Sequence, residues 1–251
     1  MSQNLGFLTE SEIATEINGL RVAELSGNFK TLLIYLYGVL DNSEVVKCRL
    51  VEGYIKPDIE IEYMGIKKYI SIKTGNATVI HTEDLKRFCI FLRDEIGISN
   101  RTLQTILLHH YGDGTLDGTG TFRYSAQEVK ERLKDRIKEA NEELNQSKEI
   151  GLAILERCLL FGVSENSIEV DGIYFDTKDL GVFANRKQII NYIMHGNWDW
   201  TNNLHIGPMH IRPNARYAGK EIVSEERRSK TYIYWPTLYE DIVYIMRKFK
   251  P

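Results

Sequence analysis

Residues 56–76, KPDIEIEYMGIKKYISIKTGN, restrict the fold more tightly than any other part of the chain. Asp58, Glu60 and Glu62 alternate with Ile59, Ile61 and Tyr63, a period of two that places acids on one face of a strand and apolar groups on the other. After Gly65, the run KKYISIKT over 67–74 gives a second strand on which Tyr69, Ser71 and Lys73 share a face. The turn decides what meets across this hairpin. A turn at Gly65–Ile66 pairs Met64 with Lys67 and sets Asp58 against Lys73 and Glu60 against Ser71. A turn at Met64–Gly65 sets Asp58 against Ser71. In both registers an acid, a hydroxyl and an ammonium converge, because facing residues lie about 5 Å apart. A three-residue turn would send each side chain to the opposite face.

A carboxylate beside other oxygen donors suits Mg²⁺, which prefers hard ligands and keeps several waters. Such an ion lowers the pKa of bound water and neutralises charge on a phosphodiester. A lysine alongside orients the water or stabilises the phosphate. Pro57-Asp58, the hairpin, and an apolar strand ending in Ser71-Ile72-Lys73 resemble the PD-(D/E)xK nuclease core, the restriction-endonuclease-like fold. The family's usual acid two residues before the lysine is Ser71 here. In this respect the chain is similar to restriction endonucleases that carry SxK and recruit a glutamate from the following helix. The resemblance extends over about residues 20–95. It implies Asp58 as principal metal ligand, Glu83 or Glu60 completing the metal site, Lys73 assisting the nucleophilic water, and Glu24 as an accessory acid from the preceding helix. Ser71 fills the position of the missing acid.

Around the hairpin, Leu20, Leu25, Phe29, Leu32, Leu33 and Leu36 recur at helical steps, and Val45–Val51 suggests a short β-branched strand. Thr82 is the expected N-cap of a helix with Glu83 and Asp84 in its first turn, and Leu85, Phe88, Cys89 and Leu92 form its buried stripe up to Gly97. Helices are predicted at 100–111, from a Ser125 cap to about 144, and on to 160; strands near 168–175, 204–211 and 232–235; helices near 186–194 and 238–248. The fold class is α/β (α+β). The expected plan is a restriction-endonuclease-like core with a mixed central sheet flanked by helices, plus a helical and α+β elaboration. That is one domain, with the core at about 19–160 and the extension at about 161–251.

Net charge is −3, so any polyanion must be held by local basic patches. Two regions are assigned to DNA. One is the glycine-rich loop GDGTLDGTGTFR with Arg123, which lacks the lysine of a P-loop and the position-12 glutamate of an EF-hand. The other is 205–230, where Arg212, Arg216, Lys220, Arg227 and Arg228 outnumber the acids and aromatics lie nearby. The six histidines form no cluster at metal-ligand spacing. Three scattered cysteines (Cys48, Cys89 and Cys158) fit a reducing cytoplasm, and neither a signal peptide nor a membrane span is expected. The expected function is a Mg²⁺-dependent endonuclease hydrolysing double-stranded DNA, of restriction or defence type and able to form a homodimer. The alternative is a non-catalytic nucleic-acid-binding or interaction protein that keeps a decayed nuclease fold.

Overall fold

The computed structural model describes residues 5–53, 55–74, 78–176, 181–198, 203–213 and 225–248. In chain order these form α1 (Leu5–Ile17), α2 (Gly27–Tyr37), β1 (Lys47–Leu50), β2 (Ile59–Tyr63), β3 (Ile66–Thr74), β4 (Val79–Asp84), α3 (Leu85–Asp94), α4 (Asn100–Tyr111), α5 (Ala126–Arg132), α6 (Lys134–Leu144) and α7 (Lys148–Leu155). There follow β5 (Gly172–Asp176), β6 (Val182–Asn185), α8 (Arg186–His195), β7 (His205–Ile206), β8 (Met209–Pro213), α9 (Glu225–Arg228), β9 (Lys230–Tyr234) and α10 (Leu238–Lys248). The chain is mixed α/β, as expected. Among the described residues no helix is long and apolar enough to cross a membrane.

The chain sorts into two compact units, where the sequence suggested one domain with a boundary near residue 160. The first comprises Met1–Ala77, Leu155–Tyr192 and Thr237–Pro251; the second comprises Thr78–Ile154 and Ile193–Pro236. The cause is a pairing between distant strands. β3 runs parallel to β5, with Ser71 beside Ile173 and Lys73 beside Phe175. Parallel neighbours need a crossover connection, and here it contains α3 to α7.

In the first unit, one mixed sheet has the order β1-β2-β3-β5-β6. Ile59, Ile61, Ile70 and Ile72 point to one side and are buried against Ile13 and Ile17 of α1 and Leu32 and Leu33 of α2. α2 starts at Ser26, whose hydroxyl accepts from the Phe29 amide at 3.4 Å. The hairpin register is that of the Met64–Gly65 turn: Ile59 faces Ile70, Glu60 faces Tyr69, and Tyr63 faces Ile66. Met64 and Gly65 both have positive φ, 50° and 76°. This is the signature of a two-residue turn whose twist matches the strands.

The second unit is built on a separate antiparallel sheet, β4-β9-β8-β7, with α4 against β8 and α6 against β7. Three expectations change here. Thr82 and Glu83 belong to β4, and α3 is capped instead by Asp84, which accepts from the Lys86 and Arg87 amides. The long helix after Ser125 breaks at Leu133 (φ −106°, ψ 10°) into α5 and α6. The expected strand over 204–211 is a tight hairpin, β7–β8, folded at Gly207 with φ +54°.

Candidate functional site

Asp58 sits one residue before β2, where the strand pair opens. Its amide still donates to the Ile70 carbonyl at 2.8 Å. The β2–β3 ladder ends here, since Pro57 has no N–H to donate across it, and the next β3 amide on that edge, Ile72, takes a side-chain acceptor. The Asp58 carboxylate supplies it: Oδ2 accepts from Ile72 N–H at 2.6 Å and from the Ser71 hydroxyl at 3.1 Å. Among the described residues Oδ1 accepts no hydrogen bond.

Lys73 completes the cluster. Its ammonium donates to Ser71 Oγ at 2.6 Å and to the Ile72 carbonyl at 3.1 Å, and stands 4.0 Å from Asp58 Oδ2. Ser71 is buried, whereas about a fifth of each of the Asp58 and Lys73 side chains reaches solvent (23% and 18%). The expectation that Asp58, Ser71 and Lys73 share one face of the sheet therefore holds in this geometry.

A fourth group comes from an element the sequence did not single out. α1 packs on β1 and β3 and carries Glu10 into range of both charges. Partial burial raises the Glu10 carboxyl pKa; the Asp58 charge raises it further, and the Lys73 ammonium opposes them. Glu10, Asp58 and Lys73 together leave one negative charge in excess. Asp58 Oδ1 and the Glu10 carboxylate are oxygen donors of the kind that could hold a divalent cation. Glu10 does carry a sequence signal: it stands three and seven residues before Ile13 and Ile17, on the buried stripe of α1.

The other named acids are engaged elsewhere. Glu60 shares the Asp58 face but is 5% exposed. Arg49 grips it at 3.1 and 2.9 Å, and Lys67 reaches it at 3.2 Å. The Arg49 guanidinium, helped by Lys67 and Tyr69, holds its carboxyl below the usual carboxylate range despite burial. Both oxygens of this carboxylate are thus engaged in ion pairs of the sheet itself. Glu24 lies in a 3₁₀ turn, Val22–Glu24, and accepts from the Arg21 amide at 2.8 Å as an exposed cap. Glu83 is not in a helical first turn; it is buried on β4 of the second unit, 3.2 Å from His81 Nε2.

The proposed DNA contacts divide as well. Arg123 is buried, at 8% exposure. Arg228 turns inward: its guanidinium donates to the Gly118 carbonyl and lies 3.5 Å from Asp113, whose side chain is fully buried. Asp113 also accepts from Thr115 and Gly120, so the glycine-rich loop is braced from within and its aspartate is not presented to a ligand. Arg212 on β8 and Arg227 on α9 are exposed. Arg216 and Lys220 fall outside the described residues. No family model matches the chain, and no curated protein matches it in sequence.

Proposed function

We propose that the chain is a Mg²⁺-dependent endonuclease acting on DNA, with a restriction-endonuclease-like core in the first unit. One observation carries the reading: Asp58, Ser71 and Lys73 meet at the mouth of a hairpin, with a carboxylate oxygen left over, and the Glu10 carboxyl feels the charges of both Asp58 and Lys73. Hard oxygen donors with a net negative charge suit Mg²⁺. Asp58 Oδ1 and Glu10 would hold the ion, which supplies charge neutralisation and a water of lowered pKa.

The protein's own groups account for the rest. Ile72 N–H and Ser71 fix the Asp58 carboxylate, so that its free oxygen points in a single direction. Ser71 Oγ and the Ile72 carbonyl in turn fix the Lys73 ammonium. A cation held in place beside the reacting phosphate stabilises charge as it develops on the phosphoryl oxygens, without reorganisation at the moment of reaction. Ser71 in this arrangement is a positioning residue, taking the space of an acid while it links Asp58 to Lys73.

Purified protein with Mg²⁺ should nick or cut plasmid or phage DNA. Asp58→Ala should abolish cutting, but it also strips the Ile72 amide of its acceptor, a loss of about 1.5–3 kcal/mol for a hydrogen bond to a charged group. Asp58→Asn keeps an acceptor for that amide and removes only the charge. Cutting by a folded Asp58→Asn protein at the wild-type rate would end the assignment. A second reading is favoured by the closed network through Ser71: a decayed site in a nucleic-acid-binding protein. Saturable metal binding that depends on Asp58 distinguishes the two, because a decayed site shows none.

A further inference from the structure

β8 and β9 of the second unit pair with His210 opposite Tyr234 and Arg212 opposite Tyr232, so all four side chains leave the same face of the sheet. The Arg212 guanidinium lies over the Tyr234 ring, 4.3 Å from its centre. Arg212 is exposed, and among the described residues no carboxylate forms an ion pair with it. Beneath it His210 is buried, with the His205 ring 6.4 Å away. Burial, followed by Arg212, His205 and Lys130 of α5, pushes the His210 pKa down to about 4. Arg212, His205 and Lys130 each act on it with positive sign, a field that favours an anion at this face.

We propose that Arg212, supported by Lys130 and with Tyr234 as a platform, forms a binding site for a backbone phosphate of a nucleic-acid strand. A guanidinium stacked on a ring is preorganised, and its N–H edge fits a phosphate in two-point fashion. The neighbouring Tyr232 offers a further aromatic surface of the kind on which bases stack. This deepens the DNA reading by saying where the polyanion is gripped, and it uses none of the residues around Asp58.

The test is the affinity of the full chain for a labelled DNA duplex in EDTA, where no cleavage intervenes, across a salt series. Arg212→Ala should weaken binding about tenfold and lower the slope of log affinity against log salt by about one. Arg212→Lys keeps the charge but not the fork, and should fall between the two. The same affinity and slope for Arg212→Ala as for wild type would overturn the proposal. So would inorganic phosphate moving the His210 ring resonances while Arg212→Ala leaves duplex binding untouched, since the site would then serve free phosphate. Duplex binding that depends on Arg212, without Mg²⁺-dependent cutting, would sink the nuclease reading and leave this one standing. Cutting by Arg212→Ala at the wild-type KM would do the reverse.

Discussion

At the scale of single residues, what matters is which charges the fold has left unsatisfied. Burial, and then the Asp58 charge, raise the Glu10 carboxyl pKa. A carboxyl with a raised folded pKa binds more protons folded than unfolded, so it opposes stability as pH rises above the ordinary carboxylate range. Glu10→Gln should therefore raise Tm at neutral pH while weakening Mg²⁺ binding and cutting, a trade expected at a functional site; scanning calorimetry and metal titration on the same sample would show both. A Tm drop with unchanged metal affinity would make Glu10 an ordinary structural residue. His210 has the opposite sign. Its folded pKa lies near 4 against an ordinary 6.5, so the unfolded chain takes up the proton first and stability falls as pH drops from about 6.5 to 4. The full shift corresponds to about 3 kcal/mol as an upper bound. Arg212, His205 and Lys130 all act against its protonated form, and the Tyr234 ring lies beside it. His210→Gln should flatten the Tm–pH curve over that window, and an unchanged curve would show that the histidine does not control it.

At the scale of elements, the hairpin shows how far local pattern reaches. A strict period of two around Met64-Gly65 determined the face of every side chain from Asp58 to Lys73, and both two-residue turns led to the same cluster. The turn realised puts Met64 at φ 50°, a conformation costly for a residue with a Cβ. Met64 is exposed, so no packing is at stake. Met64→Asn creates the Asn-Gly pair such turns favour and should stabilise by about 0.5–1 kcal/mol, or ~2 °C in Tm; a lower Tm would mean that Met64 makes contacts that matter. Other elements were harder to read. Residues 79–84 contain Thr82, Glu83 and Asp84 in a row, three residues that each suit a helix start, and only Asp84 serves as the cap. Their β pairing is with β9, about 150 residues away, a partner that no local window contains. Glu10 was legible only in part: it shares the helical stripe of Ile13, Ala14 and Ile17, whereas Glu12 and Glu16 lie on the exposed side, but the charges that act on it, Asp58 and Lys73, lie some fifty residues on.

At the scale of the whole molecule, the chain passes between its two units four times, at 77/78, 154/155, 192/193 and 236/237. Neither unit is a continuous stretch of sequence, so composition shifts along the chain gave no sign of a boundary, and a division near residue 160 looked natural. Its consequences can be worked out strand by strand. A fragment ending at 160 keeps β1, β2 and β3 but loses β5 and β6, and with them the parallel ladder from Ile70 to Thr74. β3 would become an edge strand, its backbone groups open to pairing with other chains. Tyr174 and Phe183, both members of the core around α2, would be gone, together with α10, which packs on β6. In the second unit the loss is of β7, β8 and β9, leaving β4 without any strand partner. Ser71 and Lys73 belong to the part of β3 that only β5 pairs, since the pairing with β2 stops at Ile70. The fragment should therefore aggregate or give a poorly dispersed amide spectrum, and bind no metal through Asp58. A fragment of residues 1–160 that melted cooperatively and bound Mg²⁺ like the full chain would show that the distant strands are not needed to hold Asp58 and Lys73 together.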